Sequence, residues 1–132
     1  MNLSEEKIKE LITEAIIARE KAYTPYSHFK VGALVIDEIG NHHTGCNVEN
    51  GSFGLTNCGE RTAIFSAVSK GMKKIDTIVV VADTTGPVSP CGACRQVIKE
   101  FSTDDTTIIL ANLKKEYRIM TMEELLPYGF ML

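Results

Sequence analysis

The feature that most restricts this chain is Ile78-Val79-Val80-Val81-Ala82, an unbroken apolar run rich in β-branched residues within Ile75 to Ala82. A strand with one wet face alternates polar and apolar residues; a run without alternation is covered on both faces, and helices supply the cover. The run is far shorter than the roughly 20 apolar residues a bilayer helix needs, and no other stretch comes closer. It therefore predicts a central strand in a layered α/β protein.

The rest of the chain supplies the layers. Ile8, Leu11, Ile12, Ala15 and Ile16 form one helical stripe, capped by Ser4 and favoured by Glu5 and Glu6 in the first turn. The helix is expected over Ser4 to Ala22, ending ahead of Pro25. Val31 to Ile36 and His42 to Val48 read as a hairpin around the turn residues 37–41. A second helix is expected from Cys58 to Lys70, with Gly71 beyond its end. A third is expected from Cys91 to Phe101, then strands at Thr107 to Ala111 and Tyr117 to Met120 and a short helix at Met122 to Leu125. This order implies a mixed sheet between helical layers. At 132 residues, without repeat or linker, the chain reads as one domain, 1–132.

The formal net charge of −3 carries no basic footprint for nucleic acid or an anionic membrane, so a small-molecule partner is expected. Residues 1–10 hold Glu5, Glu6 and Glu10, the wrong composition for a signal or transit peptide, and a cytoplasmic location is expected. In a reducing compartment the four cysteines point to metal binding or catalysis rather than disulfides.

Cys91-Gly92-Ala93-Cys94 follows Pro90 at an expected helix start, a spacing at which two thiolates can share one ion or form a redox dithiol. Upstream, Asn57-Cys58-Gly59-Glu60-Arg61 sets a third cysteine at another helix start. Helix N-termini favour the thiolate. Thiolate softness favours Zn²⁺, and three protein ligands leave a fourth position open to water, as in catalytic rather than structural sites. Glu60, two residues beyond Cys58, suits proton transfer between that water and a substrate nitrogen. Arg61 is expected to donate to the thiolates from outside the ligand set.

These motifs, together with Ala22-Tyr23-Thr24-Pro25-Tyr26-Ser27, Phe29-Lys30-Val31-Gly32-Ala33, Gly45-Cys46-Asn47-Val48-Glu49-Asn50 and Glu124-Leu125-Leu126-Pro127, resemble the short, homotetrameric cytidine deaminases over nearly the whole length. The resemblance implies a three-layer α/β/α cytidine-deaminase-like fold with a five-stranded mixed sheet. It implies hydrolysis of cytidine and 2′-deoxycytidine to uridine and 2′-deoxyuridine, with release of ammonia, in pyrimidine salvage. Carried over residue by residue, Cys58, Cys91 and Cys94 would hold one Zn²⁺ per chain and Glu60 would shuttle protons for attack at C4 of the base. Asn47 and Glu49 would hold the ribose 3′-hydroxyl, Phe29 would stack on the pyrimidine, and the Gly59 carbonyl would face the amino group. Phe130 would reach a neighbouring subunit's site, so that the homotetramer shares its active sites.

Two positions depart from the family pattern: Gly59 stands where alanine is usual, and Phe53 where tyrosine is more common. Cys46 reads as a small buried residue, His28, His42 and His43 as surface or satisfied histidines, and Arg95 and Gln96 as helix surface. Three other readings compete, one of them polynucleotide editing, which the acidic balance and the absence of tryptophan disfavour. A blasticidin-S deaminase-like enzyme shares the Cys-x-Glu and Pro-Cys-x-x-Cys motifs, and a structural zinc module would recruit Cys46 or a histidine as fourth ligand. The nearly uncharged tail Leu125 to Leu132 is expected to bury against a partner subunit.

Overall fold

In the computed structural model, which describes residues 3–132, the apolar run is the strand β3 (Ile75–Ala82). Ile78, Val79, Val80, Val81 and Ala82 are wholly removed from solvent. β1 (Val31–Asp37) lies antiparallel on one side of β3 and β4 (Ser102–Asn112) parallel on the other. β2 (His42–Cys46) and β5 (Tyr117–Met120) close the edges, giving one five-stranded sheet in the order β2-β1-β3-β4-β5. The parallel step needs a crossover, which α3 (Gly92–Phe101) provides.

Alternation along the strands sorts two cores. Val79 and Val81, with Leu34, Ile36, Ile109 and Ala111, meet Ile8, Leu11, Ile12 and Ala15 of α1 (Glu5–Arg19). Ile78, Val80 and Ala82, with Ala33, Val35, Ile108 and Leu110, meet α2 (Gly59–Ser69), α3 and α4 (Met122–Leu125) on the opposite face. The expected three-layer α/β/α arrangement with a mixed sheet is the observed one.

Two glycines set how closely the helices approach. A Cβ on Gly32 would stand 2.2 Å from the Ala15 carbonyl oxygen of α1, and one on Gly45 would stand 2.4 Å from the Ala63 nitrogen of α2. Only a residue without a side chain lets α2 lie this near β2, and that contact fixes where the first turn of α2 begins.

Several boundaries differ from the sequence reading. α1 ends at Arg19, not Ala22, because Tyr23 forms a parallel bridge with Val48 and needs extended backbone ahead of Pro25. β2 stops at Cys46; Val48 leaves the ladder and bridges Tyr23 on one side and Asn57 on the other. β4 begins at Ser102 instead of Thr107, directly after α3. Residues 103–106 fall between the Ile75–Ser102 and Thr77–Thr107 pairs, and the Thr106 hydroxyl donates to the Ile75 carbonyl at 2.6 Å. A 3-10 turn at Phe53–Leu55 had no signal in the sequence.

Candidate active site

Cys58 and Cys91 are the N-caps of α2 and α3, and Cys94 lies in the first turn of α3, wholly buried. The two helices leave the same side of the sheet, so the three sulfurs converge with every pair within 4.8 Å. Thiolates about 2.3 Å from a common tetrahedral ion stand roughly 3.8 Å apart, and this cluster needs little adjustment to reach that spacing. The Cys58 thiol is pulled down to about 5, first by hydrogen bonding with Cys94 and then, against burial, by the Arg61 guanidinium. Cys94 is pushed up, first by that same bond and then by burial. Three thiols gathered beside a guanidinium mark a site that concentrates negative charge. The Arg61 Nη2 donates to Cys58 Sγ at 3.0 Å, while its buried Nε has no partner among the described residues. Three soft sulfur donors, one already thiolate-like and backed by arginine, fit a single zinc ion.

Glu60 follows from the first turn of α2. The residue is 4% exposed, and its carboxyl is raised above the ordinary carboxylate value, chiefly by burial and further by the Cys58 charge. Beside it opens a cavity of about 290 Å³ lined by Cys58, Gly59, Glu60 and Cys91 at the sulfur end and by Phe29, Asn47 and Glu49 among its other walls. Seven of the expected site residues thus share one cavity, and Cys94 joins them through the sulfur cluster.

The backbone explains why Asn47 and Glu49 both face it. Regular pairing ends at Cys46, yet the bridges on either side of Val48 keep the segment extended, so alternate side chains point the same way. Asn47 is buried, with its Nδ2 donating to the Phe29 carbonyl at 2.7 Å and its Oδ1 accepting from the Val31 N–H at 2.8 Å. It clamps the chain that carries Phe29, a role its sequence position did not suggest. Glu49 accepts from the Tyr26 N–H at 3.0 Å, the Ser27 N–H at 3.1 Å and the Ser27 hydroxyl. The Ser27 hydroxyl leads in holding its carboxyl below the usual carboxylate range.

Gly59 leaves little room for the family's alanine: a Cβ there would meet the Val31 carbonyl oxygen at 3.0 Å. Phe53 packs edge-on against Tyr26 with ring centroids 5.9 Å apart, at the mouth beside Glu49. Phe130 is 64% exposed and is not among the residues lining its own chain's cavity.

The histidines stay out of the sulfur cluster. His43 is buried against Asp37 at 2.9 Å, and His42 reaches Glu14 at 2.8 Å. Arg95, expected as plain helix surface, is a brace: it donates to the Pro90 carbonyl at 2.9 Å, the Leu125 carbonyl at 2.6 Å and the Ser89 hydroxyl at 2.5 Å. It fixes the cavity wall at Ser89-Pro90 against the end of α4. Gln96 also has a partner, donating to the Phe130 carbonyl at 3.2 Å. Neither contact leaves a local sequence signal.

Comparison with known proteins agrees with this geometry. Residues 5–110, which include all three cysteines and Glu60, match the model of the cytidine and deoxycytidylate deaminase zinc-binding region. The chain is 51% identical to the cytidine deaminase of Sporosarcina psychrophila over 93% of its own length and 90% of that protein. It is 53% identical to the Halalkalibacterium halodurans cytidine deaminase over 91% of each. The crystal structure of cytidine deaminase from Burkholderia pseudomallei superposes with a TM-score of 0.89 at 48% identity, covering 92% of this chain and 98% of that one. With fold, sulfur cluster and sequence all in agreement over most of its length, the chain belongs to the cytidine deaminase family.

Proposed function

We propose that this protein hydrolyses the 4-amino group of cytidine and 2′-deoxycytidine to give the uracil nucleosides and ammonia. The observation that carries the reading is the convergence of Cys58, Cys91, Cys94 and a buried Glu60 on one wall of the cavity whose other walls include Phe29, Asn47 and Glu49. Zinc held by Cys58, Cys91 and Cys94 would supply Lewis-acid activation of water. The protein's own groups do the rest. Glu60 takes a proton from the water and delivers it to N3 of the base as C4 is attacked, then takes the proton of the new C4 hydroxyl and passes it to the amino nitrogen as the C4–N bond breaks and the C4 carbonyl forms. The Gly59 carbonyl accepts from the amino group, Phe29 lies on the ring, and Asn47 and Glu49 hold the sugar hydroxyl. Arg61, donating to Cys58 Sγ, favours the thiolate form of that residue.

The same cavity discriminates between nucleoside and nucleotide. Among the described residues no lysine, arginine or histidine lines it, while Glu49 and Glu60 both do. A phosphate would meet like charge without a counter-ion, and such juxtapositions cost several kcal/mol. Cytidine is expected to exceed cytidine 5′-monophosphate in kcat/KM by about 100-fold or more. Steady-state ammonia release with both substrates checks this. Equal turnover of the monophosphate, or turnover of blasticidin S in place of either, overturns the nucleoside reading.

The whole chain acts as one deaminase domain in the cytoplasm, assembled as a homotetramer with Phe130 reaching a neighbour's cavity. The tail supports the assembly: Tyr128 is 96% and Phe130 64% exposed, and Met131 and Leu132 are exposed too, an apolar end that its own chain does not cover. Sedimentation at micromolar concentration should give a single species of about four chains; an active monomer would contradict the shared site. No helix among the described residues is long and apolar enough to cross a membrane.

A further inference from the structure

We propose that Ser27 is a positioning residue for the sugar end of the pocket, its single hydroxyl orienting the Glu49 carboxylate and fixing the Phe29 backbone together. The inference rests on the reading of Glu49 as the partner of the ribose 3′-hydroxyl. Ser27 lines the same cavity, and its Oγ donates to Glu49 Oε2 while accepting the Phe29 N–H at 3.0 Å. Glu49 Oε1 is already committed to the Tyr26 and Ser27 N–H groups. An ionised carboxylate offers about four acceptor sites, so with three occupied the remaining one has a fixed direction. At the other end of residue 29, the Asn47 amide holds the Phe29 carbonyl and the Val31 N–H. The Phe29 peptide is therefore pinned at its N–H by Ser27 and at its carbonyl by Asn47. Between Ser27 and Phe29, His28 adopts φ 58°, a left-handed conformation that few non-glycine residues take up, and its N–H bonds to the Thr24 carbonyl at 3.0 Å. The hydroxyl closes this turn across His28. Without it, Oε2 of Glu49 can rotate and the ring-bearing segment loses one of its two anchors.

Ser27→Ala should therefore weaken recognition of the sugar hydroxyl while leaving the chemical groups at the sulfur end in place. The experiment compares kcat and KM for cytidine and 3′-deoxycytidine in wild type, Ser27→Ala and Ser27→Thr. The wild type is expected to prefer cytidine. In Ser27→Ala that preference should fall by about tenfold, the scale of one hydrogen bond to a charged group, mainly through KM for cytidine. Ser27 is solvent-exposed, so threonine has room for its methyl and should restore the preference by restoring the hydroxyl. A purely structural role would depress both substrates alike, and an unchanged preference in Ser27→Ala overturns the proposal. Failure of the reading beneath it looks different: the wild type itself would then show no preference for cytidine over 3′-deoxycytidine.

Discussion

Cys94→Ala should yield a folded protein that has lost both its zinc and its turnover. Cys94 is the buried member of the sulfur cluster, and the other two ligands, half-buried Cys58 and exposed Cys91, are the N-caps of separate helices. Its sulfur lies within 4.8 Å of both of theirs and completes the set of three. Removing that sulfur leaves two donors, each at the start of a different helix. Even partners outside the ligand set commonly cost about 10–100-fold in metal affinity, and loss of a direct ligand should exceed that. Alanine keeps the helix propensity and removes one atom, so the fold should survive with a cost of about 1–2 kcal/mol. Metal analysis after dialysis should give well under one zinc per chain, with turnover falling in step and the circular dichroism unchanged. Full zinc occupancy together with undiminished turnover would remove Cys94 from the proposed ligand set.

Glu60→Ala should separate the two properties that Cys94→Ala loses together. The carboxylate is no part of the sulfur cluster, so zinc should remain at one per chain. What disappears is a buried carboxyl on the sulfur side of the cavity, the proposed carrier for both protons the reaction must move. Positioned acid–base groups contribute about 10²–10⁴-fold, and a residue serving two transfers should lie near the upper end. Glu60→Gln should fall as far, since an amide preserves shape and hydrogen bonding without a titratable proton. A variant retaining more than about a tenth of wild-type kcat would assign the proton transfers elsewhere.

How far the sequence carries depends on whether an element's reason is local. β3, β5 and α4 fall at the expected residues because an apolar run, a short segment holding Tyr117 and Ile119, and a capping Thr121-Glu124 pair are all written within a few positions. α1 overshoots because its end is decided by Tyr23 pairing with Val48, distant in sequence. The early start of β4 is hidden because Thr103, Asp104 and Asp105 are exposed and carry no hydrophobic pattern. The site divides in the same way. Cysteines and glutamate at helix starts have a spacing that states their chemistry. The clamp of Asn47 on residues 29–31, the Ser27 contact with Glu49 and the Arg95 brace join residues 16 to 30 positions apart. Such contacts exist only once the sheet has formed, so each of these side chains reads as ordinary in the sequence.

The central claim is that the three thiolates and Glu60 form a catalytic centre for a cytosine nucleoside. The most direct test follows the ultraviolet band of cytidine in the presence of zinc-loaded wild-type protein, with ammonia measured in the same sample. The account predicts loss of the band with one ammonia released per cytidine consumed. Unchanged cytidine from protein holding one zinc per chain would contradict it.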